Sequence, residues 1–291
     1  MKPLVGLLGR IVAFVVWHLP RFVRELIAYG IGLLWFDVLR IRRKVAIENV
    51  GIAFPEKSLA ERTRIARSSL VHMGRTIVEF SHFPWFTEKD LDRYFVIENM
   101  EIMHEALKQK KGAIMLTLHG GNGDYATMAL SRSGLKLHLI SKIFKAEWLN
   151  DLWFGMRRKH GTSFIAPEKS SFDILRALKK NEIVIFVLDQ FMGPPVGVRT
   201  KFFGKETGTA AGCALMAGRT GAPVVFADTY RRGDGKTGIV FQEVVPFVDS
   251  GLMDKNIAVM TQIYTDKIEG VIRQYPEQWM WIHRRWKDFR D

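Results

Sequence analysis

The residues of this 291-residue chain that are best suited to chemistry are His119 and Asp124, in the stretch AIMLTLHGGNGDYATMAL. The apolar run before His119 has the length of a buried strand, and the glycines between the two residues permit tight turns. Helical spacing of apolar residues begins after Asp124. His119 is therefore predicted at the end of a strand and Asp124 at the start of a helix, where ligand sites gather in open α/β sheets.

An imidazole and a carboxylate at such a position can together remove a proton from a hydroxyl group. When a carboxylate bonds to one ring nitrogen, the other nitrogen is left to accept a proton. Backbone N–H groups at a helix start can hold a developing oxyanion. These groups suit acyl transfer from a thioester to a hydroxyl. The alternative is a core histidine bonded to a backbone carbonyl, which would not need the strand–glycine–helix context.

The same spacing occurs a second time, between His283 and Asp288. With eight histidines in the chain, composition predicts about one chance pair of this kind. The second pair lies in WIHRRWKD, a basic and aromatic segment without a glycine turn. Only the pair at His119 has the context of a strand end, so we select it as the candidate catalytic pair.

Composition narrows the class of protein. Hydrophobic residues make up 47% of the chain, which excludes a disordered protein. The formal net charge of +13 indicates an anionic partner, such as a membrane surface, a nucleic acid or an acidic protein. Cys213 is the single cysteine; it excludes an internal disulfide and is predicted to be a small buried filler. Zinc-site and nucleotide-binding fingerprints are absent from the sequence.

The N-terminal segment, residues 1–39, is predicted to be a membrane anchor. It is mostly apolar, but charged residues interrupt it, so a simple spanning helix is not expected. Pro20 should divide it into two helices that form a membrane-embedded or interfacial hairpin, with Trp17, Trp35 and Phe36 at headgroup level. The alternative is a pair of buried core helices. The basic cluster Arg40–Lys44 that follows suits anionic headgroups or is a solvated charge run.

Residues 40–291 are predicted to form one α/β domain with a largely parallel central sheet flanked by helices, because strand-like and helix-like runs alternate from residue 95 onward. The strand-like runs are Phe95–Glu98, Ile114–Leu118, Leu137–Ile140, Ser163–Ala166, Ile183–Leu188, Val224–Ala227 and Ile239–Gln242. The helix-like runs are Met100–Lys110, Tyr125–Arg132, Glu147–Lys159, Ser171–Lys180 and Thr209–Thr220. Upstream, NVGIAFP (residues 49–55) reads as a loop, and Ser58–Phe80 as a helix that Ser58 and Glu61 begin with a capping box.

Further polar residues are candidates for binding substrate. Arg157 and Arg158 near a helix C-terminus could grip a phosphate or a thioester-linked phosphopantetheine, or simply cap the helix. Asp189 and Gln190 follow the strand IVIFVL at its carboxyl end. Asn122, in the glycine turn between the candidate catalytic residues, completes the predicted substrate-binding set.

In these and further motifs the chain resembles the bacterial lipid A late acyltransferases of the lysophospholipid acyltransferase superfamily. The resemblance rests on the His-x4-Asp pair together with RRKVAIENVGIAFPE, LDQF, FFGKETGTAAGCALMAGRTGAPVV and PEQWMWIHRRWK, and it covers residues from about 38 to 288. The N-terminal segment looks like the membrane anchor of that family. Related members often carry a Trp and a Glu where Gly123 and Asp124 stand here, so the acceptor and the acyl length stay open.

The resemblance implies transfer of a fatty acyl chain from acyl carrier protein, or from acyl-CoA, to a hydroxyl of a lipid A precursor. It implies His119 as the base, Asp124 as its orienting partner and Arg157 as a cation of the substrate site. It also implies work at the cytoplasmic face of the inner membrane, with no cofactor. An anionic membrane is then the expected partner, and nucleic acid is not.

Two alternatives stay open. The chain could acylate another glycolipid or a lysophospholipid on the same scaffold. It could also be a basic membrane- or nucleic-acid-binding protein without catalysis, although such a protein would not need the glycine motif at the strand end.

Overall fold

The computed structural model describes residues 2–141, 147–166 and 170–290. Small parts of both predicted segments, residues 1–39 and residues 40–291, therefore lie outside the described residues. The strands are β1 (Phe95–Glu98), β2 (Ala113–Thr117), β3 (Leu137–Ile140), β4 (Ser163–Ile165), β5 (Ile183–Val187), β6 (Gly197–Phe202), β7 (Lys205–Ala210), β8 (Val224–Arg231) and β9 (Thr237–Val245). The helices are α1 (Lys2–His18), α2 (Arg21–Leu33), α3 (Arg43–Ala53), α4 (Leu59–Glu79), α5 (Leu91–Tyr94), α6 (Met100–Lys108), α7 (Gly123–Arg132), α8 (Glu147–Lys159), α9 (Ser170–Lys179), α10 (Gly212–Thr220) and α11 (Met253–Gln274).

The central sheet is mostly parallel, as the alternation of strands and helices predicts. Within the described ranges its order is β1-β9-β8-β2-β5-β3-β4. Neighbouring strands pair in parallel except β8 and β9, which are antiparallel. Strands β6 and β7 form a separate antiparallel hairpin. The α/β prediction is confirmed.

Apolar side chains cover both faces of this sheet. Along β2, Ile114 and Leu116 belong to one buried cluster, whereas Ala113 and Met115 belong to the other. Successive side chains of a strand point to opposite faces, so the two clusters are two layers of core. Strand β2 is buried along its whole length. Its packing therefore fixes the position of its carboxyl end, which His119 follows.

Most predicted elements lie within a few residues of the observed ones, but two local predictions are wrong. Residues 49–55 were predicted as a loop, yet α3 continues to Ala53. Asn49 holds it there by donating to the carbonyls of Trp281 and His283, both at 2.7 Å. The helix predicted from Thr209 begins only at Gly212, because the residues before it pair with β6 as strand β7. The capping box of Ser58 and Glu61 is confirmed at the start of α4.

The N-terminal segment forms two helices that are separated at Pro20, as predicted. Helix α2 crosses α4 closely at two glycines. A Cβ atom on Gly32 would lie 2.5 Å from the Cα of Val71, and one on Gly74 would lie 2.2 Å from the carbonyl oxygen of Ala28. Phe36 is fully buried, so its predicted place at headgroup level is wrong. Among the described residues, helices with the length and apolar character needed to cross a membrane are absent.

Candidate active site

His119 lies two residues beyond the end of β2, and Asp189 lies two residues beyond the end of β5. The two strands are parallel neighbours, with Thr117 opposite Val187. Their carboxyl ends therefore deliver both side chains to the same edge of the sheet. The imidazole Nδ1 of His119 lies 2.7 Å from Oδ1 of Asp189.

Asp189 is buried, at 2% exposure, and its carboxylate accepts three hydrogen bonds. Besides the imidazole, the backbone N–H of His119 donates to Oδ2 at 3.0 Å, and the indole Nε1 of Trp279 donates to the same oxygen at 2.7 Å. Burial alone would raise the pKa of Asp189, but the imidazole and these donors outweigh burial and lower it. Asp189 is therefore an ionised carboxylate that is fixed in place.

The imidazole of His119 is tuned by its neighbours. Burial would lower its pKa, but the Asp189 carboxylate, with a smaller contribution from Asp124, outweighs burial and raises the pKa above its ordinary value. The side chain is 40% exposed, so solvent moderates this shift. Because Nδ1 contacts a carboxylate, that nitrogen carries the proton, and Nε2 is left to accept one.

Asp124 has a different partner from the one predicted. Its carboxylate forms an ion pair with the guanidinium of Arg157, whose side chain is 7% exposed. The sequence predicts Asp124 as the carboxylate that orients His119. In the structure the carboxylate that hydrogen bonds to His119 is that of Asp189. The predicted substrate-site cation Arg157 thus lies at the first turn of α7, paired with Asp124.

Asn122 is the N-cap of α7. Its side-chain oxygen accepts from the backbone N–H of Tyr125 at 3.1 Å, and its Nδ2 donates to Glu79 at 2.8 Å. The other carboxylate oxygen of Glu79 pairs with Arg231, also at 2.8 Å. Asn122 is 2% exposed, so its contacts shape the loop. Neither Glu79 nor Arg231 is among the candidate residues of the sequence, because a pairing between residues so far apart in the chain leaves no local pattern.

The glycine turn is needed for a close approach to strand β8. Gly121 has φ +53°, and a Cβ atom there would lie 2.9 Å from the carbonyl oxygen of Thr229. Gly120 forms an isolated bridge with Trp279. The turn leads directly into α7, where the contacts of the described residues provide no backbone acceptor for the N–H groups of Gly123 and Asp124. Such N–H groups at a helix start attract negative charge.

The remaining candidates are not part of this hydrogen-bond network. Arg158 is exposed and Gln190 is half-buried, and among the hydrogen bonds of the described residues those of His119 and Asp189 involve neither side chain. Asp288 lies 3.4 Å from Arg290 rather than beside His283. The second His-x4-Asp pair is thus not assembled. Cys213 is fully buried and burial raises the pKa of its thiol, in agreement with a filler role.

Trp279 belongs to this site, although it is not among the candidate residues of the sequence and stands there only within the motif PEQWMWIHRRWK. It is 2% exposed and contacts both Asp189 and the glycine turn. A tryptophan with a donor N–H in the PEQWMW segment was the available signal, since a buried indole N–H needs an acceptor.

An imidazole–carboxylate pair at the strand ends of a mostly parallel sheet, beside a helix N-terminus, is an arrangement that can remove a proton from a hydroxyl group. The chain belongs to the bacterial lipid A biosynthesis acyltransferase family, whose model matches residues 3–288. It is therefore a member of an acyltransferase family of lipid A biosynthesis.

Individual relatives support this assignment. The chain is 26% identical to the lipid A biosynthesis lauroyltransferase of Escherichia coli (strain K12), over 96% of this chain and 90% of that protein. It is 26% identical to the lipid A biosynthesis palmitoleoyltransferase of the same organism, over 93% and 87%. It is also 26% identical to a phosphatidylinositol mannoside acyltransferase of Mycobacterium tuberculosis, over 75% and 69%.

Proposed function

We propose that this protein transfers a fatty acyl chain from the thioester of acyl carrier protein to a hydroxyl group of a lipid A precursor. The observation that carries the proposal is the hydrogen bond between Asp189 and Nδ1 of His119 at the end of β2. It leaves Nε2 on a partly exposed ring as a base for the acceptor hydroxyl. The family and the two lipid A relatives support the acceptor class.

The reaction needs one base and one anion-stabilising site. Nε2 of neutral His119 takes the hydroxyl proton while the oxygen attacks the thioester carbonyl, and Asp189 stabilises the imidazolium that forms. The N–H groups of Gly123 and Asp124 at the start of α7 are suited to hold the tetrahedral oxyanion. Collapse of this intermediate breaks the carbon–sulfur bond, and the imidazolium returns its proton to the departing thiolate. The products are the ester and the free thiol.

In this mechanism Asp124 is a positioning residue. Its ion pair with the buried Arg157 ties the first turn of α7 to α8. The same charge adds to the rise of the pKa of His119. Arg157 and Arg158 remain our proposed contacts for the phosphate-bearing part of the substrates, and Gln190 remains a proposed substrate contact. The net charge of +13 suits an acidic acyl carrier and an acidic lipid.

We further propose that residues 1–39 are a membrane anchor, which is separate in role from the acyltransferase domain of residues 40–291. Large apolar side chains of this segment are exposed, which a soluble protein rarely permits over a continuous surface. They are Leu8, Ile11, Val12, Phe14, Val15, Phe22, Leu26, Tyr29, Leu34, Val38 and Leu39. This exposed surface suits an interfacial location at the cytoplasmic face of the inner membrane, where a lipid acceptor reaches His119 and a soluble carrier approaches from the cytosol.

The test is direct. Purified protein in detergent is incubated with acyl carrier proteins or acyl-CoA of defined chain length and with a lipid A precursor, and the lipid products are weighed by mass spectrometry. We expect a mass gain of one acyl group with the carrier protein as donor. Lack of product with every thioester donor, while an authentic lipid A acyltransferase is active in the same mixture, would contradict the proposal.

A second acceptor class has one specific observation in its favour. The mycobacterial relative that is named for phosphatidylinositol mannoside has the same identity to this chain, 26%, as the lipid A lauroyltransferase, over 75% of the chain instead of 96%. The same assay with a mannosylated phosphoinositide in place of the lipid A precursor distinguishes the two acceptors.

A further inference from the structure

A cavity of about 70 Å³ lies between α2, α4, α5 and the first turn of α7. One water needs only about 10–15 Å³ of such space, so the cavity can hold a group of several heavy atoms. The polar side chains around it come from four helices, from the turn after α4 and from β9. They include Arg21, Arg24, Glu25, Arg75, Glu79 and His82. We call it the α2–α4 cavity.

The carboxylates of the cavity are already neutralised. Glu25 accepts from Arg75 at 2.8 Å, and Glu79 accepts from Arg231 at the same distance. Two guanidinium groups are left over. Arg21 donates to the backbone carbonyl of Asp234 at 2.7 Å, and, as far as the described residues go, neither it nor Arg24 forms an ion pair with a carboxylate. The cavity therefore has an uncompensated positive charge.

Arg24 is held by a histidine that cannot compete for an anion. Its guanidinium donates to Nε2 of His82 at 2.7 Å, because an arginine has only donors. His82 must then be neutral, with its proton on Nδ1, and this proton is donated to the hydroxyl of Tyr125 at 2.6 Å. Burial and Arg24 lower the pKa of His82 to about 3, in agreement with the neutral ring.

The chain of hydrogen bonds ends on a donor. Since the Tyr125 oxygen accepts from His82, its own O–H is available to the cavity, which Tyr125 lines. Two guanidinium groups and one hydroxyl around a space of this size are a donor set for an oxyanion, because guanidinium binds phosphate oxygens in bidentate fashion. Burial raises the pKa of Tyr125, so the hydroxyl keeps its proton.

The cavity lies on a different face of α2 from the exposed apolar residues of that helix. Phe22 and Leu26 are 66% and 64% exposed, whereas Ala28, which lines the cavity, is buried. A helix with its side chains is about 10–12 Å across. If the apolar side enters the acyl–headgroup boundary, the cavity lies at the depth of lipid phosphates.

We propose that the α2–α4 cavity is a phosphate-binding site for an anionic lipid headgroup, distinct from the site of acyl transfer. Asn122 and Glu79 separate the two sites. The bound phosphate would be a positioning contact that orients a lipid at the protein surface. The inference that the cavity binds an oxyanion depends only on the side chains around it. The inference that the oxyanion is the phosphate of a lipid rests on the membrane contact of the proposed function.

The test measures binding, not transfer. The full chain in neutral detergent is titrated by calorimetry with phosphatidic acid in mixed micelles, with phosphatidylcholine in the same micelles, and with inorganic phosphate. We expect Arg24→Gln and Arg21→Gln each to weaken binding of phosphatidic acid at least about tenfold, the usual size of a lost charge-assisted hydrogen bond. The matched control is Arg219→Gln, which removes the same charge from an exposed position of α10, outside both the cavity and residues 1–39, and should bind like the parent.

Each outcome decides the matter. Loss of binding in the two cavity variants but not in the control supports the site, and preference for phosphatidic acid or for inorganic phosphate then identifies the source. Absence of binding by the parent, or equal weakening in all three variants, overturns it. Arg21→Gln keeps the test valid if Arg24→Gln does not fold, since Arg21 is exposed and its described partner is a backbone carbonyl. His119→Ala, inactive under the proposed mechanism, should bind lipid phosphate normally, so failure of one proposal is distinguishable from failure of the other.

Discussion

The strand-end site and the N-terminal helices differ in which side chains they expose to solvent: the site buries a charged group, and the helices expose apolar ones. At the strand ends a carboxylate is 2% exposed and fully provided with donors. On α2, by contrast, apolar side chains such as Phe22 are 66% exposed. A buried charge persists only when it is paired, and a broad exposed apolar surface only when something covers it. The comparison teaches that the protein itself holds the side chains of the strand-end site in place, whereas the N-terminal surface, under our proposal, is covered by a membrane.

Removal of the imidazole should have the largest effect. We expect His119→Ala to lower kcat by at least about a hundredfold, since general-base catalysis contributes about 10²–10⁴ in rate. The fold should be unchanged, because the side chain is 40% exposed. Mass spectrometric product assays with His283→Ala as the control measure this, and the control should lose much less. Parent-like turnover of His119→Ala would remove His119 from the mechanism.

The two carboxylates should differ in how they change the pH dependence. The base acts as neutral imidazole, so activity falls as pH drops through the pKa of His119, which the structure raises above its ordinary value. Asp189→Asn removes the main cause of this rise, so the acid limb of kcat/KM should move to lower pH and the rate should fall at least about tenfold. Asp124→Asn should move the limb in the same direction by less, and Asp124→Glu should keep part of the activity.

This experiment also decides between the partner read from the sequence and the partner in the structure. A larger shift of the acid limb in Asp124→Asn than in Asp189→Asn would restore Asp124 as the orienting carboxylate. Circular dichroism and the thermal midpoint of each variant serve as controls for folding, because Asp124→Asn leaves Arg157 buried without its carboxylate.

The fold was largely accessible from the sequence, since strand and helix periods are local. The strand predicted over residues 137–140 and the helix predicted over 147–159 coincide with β3 and α8. What failed was the prediction of segments whose conformation is set by distant partners. Helix α3 continues past Asn49 because the amide is bonded to backbone carbonyls more than two hundred residues away. Helix α11 has no counterpart among the predicted runs.

The site was accessible only in part. Periodicity identifies strand ends, and both His119 and Asp189 are candidates on that basis. The residues of a single strand do not determine which strands will be its neighbours in the sheet. The adjacency of β2 and β5, which brings the two side chains together, is a tertiary fact. The His-x4-Asp pattern suggested Asp124 instead, but the two residues lie on either side of the glycine turn, and their spacing alone does not bring the side chains into contact.

The apolar surface of α2 can be tested without removing the helix, which packs tightly on α4. Phe22→Gln/Leu26→Gln should reduce partitioning into anionic vesicles at least about tenfold, since burial of one such side chain contributes about 1.5–3 kcal/mol. Vesicle co-sedimentation measures the partitioning. The control is Val248→Gln/Leu252→Gln, which replaces two other exposed apolar residues. Equal loss in both double variants would show that α2 is not the membrane surface.

The smallest predicted effect concerns the buried ion pair behind the catalytic loop. Glu79 connects Asn122 of the loop to Arg231 of β8, and the side chains of Glu79 and Arg231 are 19% and 8% exposed. Glu79→Gln should lower the free energy of unfolding by about 1–3 kcal/mol, because a buried guanidinium loses its carboxylate. Urea denaturation of the full chain in detergent measures this. The matched control is Glu277→Gln, whose ion pair with Arg64 is 41% and 68% exposed and should contribute at most about 1 kcal/mol. If the two variants were equally stable, the network would not hold the loop, and preorganisation of the site would have to come from Asp189 and Trp279 alone.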